Sequence, residues 1–177
     1  MSRAITHTLI CIIRGLLAMS IAIPCYASEN ALDLSRLDGW YPWEGAAAGE
    51  PPLLRVEKIR LQYETLVPAS LRRVVKKRIV VGTPNKVVAG YLVSSTCEPH
   101  ACPVRNFQTI VNLSNSTASF ISFDGNSEEE NTRCFSRTMK RLAELPAEVV
   151  DEVAARRGGS MEWAAGVECG PNGRQGR

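Results

Sequence analysis

The sequence predicts an α+β fold: an antiparallel β-sheet with helices packed on one side and a disulfide-closed loop projecting from a sheet turn. Three observations carry this. Arg55 to Val67 sets Val56, Ile59, Tyr63, Leu66 and Val67 at helical spacing with charged residues between them, the pattern of an amphipathic helix. From Ile79 to Phe123 the chain turns to short runs of branched and aromatic residues separated by turn formers, which read as strands. Between two of those runs, Cys97-Glu98-Pro99-His100-Ala101-Cys102 places two cysteines five positions apart, a spacing that a disulfide closes into a tight ring.

In chain order, residues 1–27 read as an export signal. Arg3 and Arg14 supply positive charge, Gly15 to Ile23 is a short apolar run, and Cys25-Tyr26-Ala27 ends on a small residue, the features of a secretory signal cut after Ala27. The run is too short to span a bilayer. Pro24 stands before Cys25 where a lipidation site wants a small residue, so a lipoprotein is not expected. The remainder divides into an α+β domain over 28–157 and a glycine-rich C-terminal tail over 158–177, one domain's worth of chain. The formal net charge of +3 drops to +1 when Arg3 and Arg14 leave (3 − 2). So balanced a surface excludes nucleic acid as a partner, because phosphate neutralisation needs concentrated positive charge.

Leucines 32, 34 and 37 predict a short helical turn. Gly39-Trp40-Tyr41-Pro42-Trp43-Glu44 holds two of the three tryptophans, read as cover for one edge of the core, with sugar stacking or interface contact as the alternative. Gly45 to Pro52 is a linker. Pro68 ends the first helix, and a second runs from Ala69 to Lys77 with Leu71, Val74 and Val75 inward. Arg72, Arg73, Lys76, Lys77 and Arg78 form its solvated face, or alternatively a site for an acidic partner. Ile79 to Val81 and Lys86 to Val93 read as strands, with Gly82-Thr83-Pro84-Asn85 as the turn between them. Phe107 to Leu113 and Ala118 to Phe123 follow, joined by Ser114 to Thr117. The cysteine ring then lies on the connection between the middle two strands. Gly125 to Asn131 reads as a surface loop, and Thr132 as the cap of a helix from Arg133 to Leu145. Pro146 opens another helix over Ala147 to Arg156, with Val149, Val150 and Val153 inward. Gly158 to Arg177 is expected to be loosely ordered.

The inventory of reactive residues removes most chemistry. Beyond the export signal the cysteines are Cys97, Cys102, Cys134 and Cys169, for which three pairings exist. Ring closure favours Cys97–Cys102, which leaves Cys134–Cys169. Of two histidines, His7 leaves with the signal, so a hydrolase with a histidine base would have to use His100. No Gly-x-Ser-x-Gly elbow is present. The C-x4-C spacing is not the C-x-x-C of thioredoxin-like sites. His100 sits too close to both cysteines for the usual zinc spacings, and no pair of acids stands out. No metal, no cofactor and no enzymatic activity are expected. Pro99 and Pro103 restrict the backbone of the ring, and the disulfide adds roughly 2 kcal/mol. A rigid loop of this kind incurs little ordering cost on docking, the property of a recognition element.

Tyr91-Leu92-Val93-Ser94-Ser95-Thr96 running into the ring resembles the Ivy family, inhibitors of vertebrate lysozyme, in which a strand leads into a disulfide-closed C-K-P-H-D-C loop. The resemblance spans about Val87 to Asp124. It implies a periplasmic inhibitor of c-type lysozyme, with the loop entering the enzyme's active-site cleft. His100 would engage the two catalytic carboxylates, and Cys97 with Cys102 would clamp the loop. Two positions depart from the family pattern. Glu98 replaces a lysine and is suited to attract a cationic lysozyme. Ala101 replaces an aspartate and removes a hydrogen-bond partner that would orient the loop or contact the target. A c-type lysozyme is thus the implied partner, and a homodimer is compatible with the sequence. The alternative is a periplasmic interaction or scaffold module whose ring docks another envelope protein.

Overall fold

The structure is a computed structural model, and it describes residues 33–41, 52–126, 129–159 and 161–175. The export segment, Trp43 and the linker up to residue 51 lie outside the described residues. After a 3-10 turn at Leu34–Leu37 come α1 (Pro52–Arg55), α2 (Glu57–Leu66) and α3 (Ala69–Arg78). Five strands follow: β1 (Val81–Val88), β2 (Tyr91–Cys97), β3 (Arg105–Asn112), β4 (Ala118–Asn126) and β5 (Glu129–Phe135). A 3-10 turn at Leu142–Glu144, α4 (Ala147–Arg157), α5 (Met161–Gly166), β6 (Cys169–Gly170) and β7 (Arg174–Gln175) complete the order. The sheet runs β1-β2-β3-β4-β5-β6, with β7 also on β5. Neighbours are antiparallel except β6, which joins β5 in parallel. The α+β class and the antiparallel sheet are as the sequence predicts.

Helices cover both faces of the sheet, however, where packing on one side is expected. Successive strand residues point to opposite faces. Leu92, Val111, Phe120 and Phe135 meet Ile59, Tyr63 and Leu66 of α2 on one face. Val93, Ile110, Ile121 and Cys134 meet Val149 and Val153 of α4 on the other. Sequence neighbours such as Leu92 and Val93 are therefore both buried, which is the signature of a strand covered on both sides. On the α2 face the Tyr63 ring meets Phe107 and Phe120 edge-on, at centroid distances of 5.7 and 5.4 Å. In α3, Val75 is buried but Val74 is exposed. The helix is anchored by Val75 and the half-buried Leu71, and Val74 turns away from that contact.

Several local expectations give way to long-range pairing. Gly82 to Asn85 lie within β1 and form no hairpin turn. The register shifts between Thr83 and Lys86, an irregularity on an edge strand that accommodates Pro84 without a ladder donor. Gly82 is needed for close approach, since a Cβ there would stand 2.1 Å from the Ser95 carbonyl oxygen. The turn is instead Ala89-Gly90, with φ of 46° and 80°, the doubly positive conformation that matches hairpin twist. Thr132 caps no helix, and Arg133 to Leu145 forms no α-helix, only the 3-10 turn at Leu142–Glu144. Thr132 is buried in β5, opposite Phe123, and Cys134 lies opposite Ile121. The strand satisfies both cores at once, with Cys134 on one face and Phe135 on the other.

The C-terminal segment is structured rather than loose. Cys169 is bonded to Cys134 with their Cα atoms 4.5 Å apart, and Ala164 and Val167 are buried. Trp163 packs with Phe123 around the Arg157 guanidinium, which lies 3.7 Å from the Phe123 ring centroid and 3.8 Å from that of Trp163. At the other end of the described chain, Trp40 is exposed and does not cover the core. Its carbonyl accepts from the Asn85 amide at 2.8 Å, so this segment is held by backbone pairing to β1.

A charged network ties α4 to β1. Glu152 accepts from Lys86 at 2.5 Å and from Arg156 at 2.7 Å, and Arg156 also donates to the Pro84 carbonyl at 2.8 Å. Burial opposes the charge on Glu152, but the Lys86 hydrogen bond and the Arg156 charge outweigh it and hold the carboxyl below its ordinary value. Burial also lowers the pKa of Arg156. A carboxyl depressed by folding contributes stability above its unfolded pKa and loses it as pH falls through the folded value.

Wild type is therefore expected to lose more stability than Glu152→Gln on acidification from about pH 5 to about pH 3, measured by urea unfolding at each pH. Replacing both Cys134 and Cys169 by alanine frees a link across 35 positions. It is expected to lower unfolding stability by about 2–4 kcal/mol, read as a lower urea midpoint.

Candidate functional site

Strands β2 and β3 pair without a slip up to Cys97, which faces Asn106. Their connection, residues 98–104, is therefore launched from hydrogen-bonded backbone on both sides. Cys97 is buried and its disulfide to Cys102 brings the two Cα atoms to 4.8 Å. Within the ring, the Ala101 amide donates to the Glu98 carbonyl at 3.0 Å. Pro99 thus sits at the second position of a four-residue turn and His100 at the third, with φ of 64°. Proline followed by a positive φ is the type II arrangement. Histidine is one of the few side chains other than glycine enriched in this region.

The backbone of the turn is occupied internally. The Ala101 carbonyl accepts from the amides of Val104 at 2.9 Å and Arg105 at 2.7 Å, and the Glu98 amide donates to the Arg105 carbonyl at 3.1 Å. Asn106 Nδ2 donates to the Cys102 carbonyl at 3.1 Å. Pro99 and His100 are exposed at the tip. Among the described residues, no side chain forms a hydrogen bond or ion pair with the His100 imidazole.

Arg105 is the anchor that sequence reading missed. Its guanidinium donates to Glu98 Oε2 and to Asp124 Oδ1, each at 3.0 Å. The Glu98 hydrogen bond first, then that of Asp124, raises the Arg105 pKa above its ordinary value. Glu98 therefore bonds back onto β3 and is not a free anion for a cationic partner, contrary to what its place in the sequence implies. Ala101 lacks the carboxylate of an aspartate, yet its amide and carbonyl hold the loop in one orientation. No local periodicity marks Arg105. Its role follows from a register that sets it opposite Asp124.

The second disulfide, Cys134–Cys169, staples β6 to β5 and lies three strands away from β2 in the sheet order. The site residues therefore divide into a disulfide-closed ring and a distant structural bond. The sulfurs of Cys97 and Cys102 are bonded to each other. Among the described residues no group of three or more His, Cys, Asp or Glu is placed to hold a metal ion. No helix of the described residues is long and apolar enough to cross a membrane.

Arg105→Ala is expected to release Glu98 and loosen the ring while changing global stability little, because partly exposed ion pairs contribute weakly to folding. The measurement is amide hydrogen exchange, with Glu98 and Ala101 exchanging several-fold faster and core amides of β3 unchanged.

Compared with protein-family models, curated proteins and solved structures, the chain matches none of them.

Proposed function

We propose that this protein is a periplasmic inhibitor of c-type lysozyme, and that its Cys97–Cys102 ring enters the enzyme's active-site cleft with His100 as the plug. The observation that carries this reading is the imidazole at the exposed tip of a turn whose own backbone bonds are already made. A docking loop ordinarily incurs an entropic cost when it becomes ordered. Here the disulfide, the type II turn and the Arg105 anchor meet that cost during folding. The resemblance of the strand and ring to the Ivy loop supplies the identity of the target.

The chemistry of the cleft suits the ring. A retaining glycosidase sets two carboxyl groups about 5–5.5 Å apart across the scissile bond. An imidazolium has two N–H donors on opposite sides of a flat ring and can donate to both carboxylates, occupying the place of substrate.

The test is lysis of a peptidoglycan suspension by a c-type lysozyme, titrated with the wild-type protein and with His100→Gly. Glycine suits φ of 64°, so this substitution removes the imidazole and leaves the turn intact. The expected result is inhibition by wild type and a loss of about thirtyfold or more in the variant, the size of an interface hot spot. Equal inhibition by both removes His100 from the mechanism. Inhibition by neither leaves the ring as a docking element for another envelope protein.

A further inference from the structure

The ring has neighbours at its end of the sheet. The Val80 amide donates to the Cys97 carbonyl at 3.1 Å, and Val81 is paired with Cys97. The segment leaving α3 therefore lies against the base of the ring. Val80 is 52% exposed, and Val104, just after the ring, is 41% exposed. The Val104 amide donates to the Ala101 carbonyl at 2.9 Å, so with the exposed Pro99 these valines put apolar side chains at the ring that no core contact explains. Arg78 ends α3 two residues before Val80, with Lys77 beside it, and both are exposed. Two residues of chain span at most about 7 Å, so the cationic end of α3 lies close to the segment that pairs with the base of the ring.

The charge around the ring is uneven. Glu98 and Asp124 share the Arg105 guanidinium on the β3–β4 side, whereas the α3 side ends in a run of cations. A central anchor surrounded by apolar contacts is the usual form of an interface hot spot, because the surround excludes water. Charges at the rim set association rate and reject like-charged partners.

We propose that Val80 and Val104 form an apolar collar around the inhibitory ring, and that Lys77 and Arg78 make it select lysozymes whose cleft rim is acidic. This rests on the reading of the ring as a lysozyme plug, and adds to it a choice among targets. The occupant of the surface is the acidic cleft of a folded glycosidase, complementary to the cations that end α3.

The experiment titrates inhibition of two c-type lysozymes, one with an acidic cleft rim and one with a basic rim. It uses wild type, Lys77→Glu/Arg78→Glu and Val80→Asp/Val104→Asp, with thermal unfolding as the check on each fold. Charge reversal is expected to weaken inhibition of the acidic-rimmed enzyme about tenfold or more at low salt and to strengthen inhibition of the basic-rimmed one. Both differences should shrink at about 0.5 M salt. The valine variant should weaken inhibition of both enzymes at every salt concentration. Lys77→Gln/Arg78→Gln adds no anion to the helix C-terminus, and should give the same ordering with smaller amplitude. If wild type inhibits and the charge variants act alike on both enzymes, the selection by Lys77 and Arg78 is overturned and the ring reading stands. If the valine variant inhibits as wild type does, the collar is overturned. If wild type inhibits neither enzyme, the ring reading fails and takes the collar and rim with it.

Discussion

The constraint on which this fold depends is that its central strands are buried on both faces. Leu92 and Val93, Ile110 and Val111, and Phe120 and Ile121 each place one side chain in the core under α2 and the next in the core under α4. A single layer of helices would leave half of these residues in water, at a cost of roughly 1.5–3 kcal/mol for each large apolar side chain. The chain must therefore supply helices before the sheet and again after it. The order of elements follows, with α1 to α3 preceding the meander and α4 and α5 returning over its other face.

That double cover explains why a ring at the sheet end can be held still. β2 and β3 are fixed by packing from both sides, and their ladder runs to Cys97. A connection leaving such a pair starts from defined positions. The disulfide, the turn bond from Ala101 to Glu98 and the guanidinium of Arg105 then fix the few residues that remain. The positive φ of His100 is a local expense of order 1–3 kcal/mol, and it persists because the surroundings leave the turn no easier conformation. In the proposed inhibitor this is preorganisation: the side chain that meets the target is exposed, and everything beneath it is already committed.

The two charged clusters differ in environment and therefore in role. Glu152, Lys86 and Arg156 sit where burial penalises charge, and Arg156 has only 6% of its side chain exposed. Breaking that cluster leaves a buried ion without its partner, which is costly. Glu98, Arg105 and Asp124 are closer to solvent, where an ion pair adds little to folding and serves mainly to orient. One network locks α4 to the bulged edge strand, and the other aims the ring.

Patterns confined to one window were legible in the sequence alone. The helical spacing of Ile59, Tyr63 and Leu66 and the valines of α4 each repeat within a few residues, as do the branched runs of β3 and β4. The ring was legible too, because cysteines five apart flanking a proline and a histidine define a closure whatever the rest of the chain does. Tertiary structure decided what depends on distant partners. Arg133 to Phe135 became strand because Ile121 and Cys169 are there to receive Cys134. The hairpin turned at Ala89 and not at Pro84, because the β2 register sets Val88 opposite Tyr91. The glycine-rich tail became ordered through a disulfide and an arginine held between two aromatic rings. Arg105 and Val80 acquired their places against Glu98 and Cys97 of the ring only through strand pairing. A local pattern records which residues want burial or a turn, but which face, which strand and which partner satisfy them are set by contacts far apart in the chain.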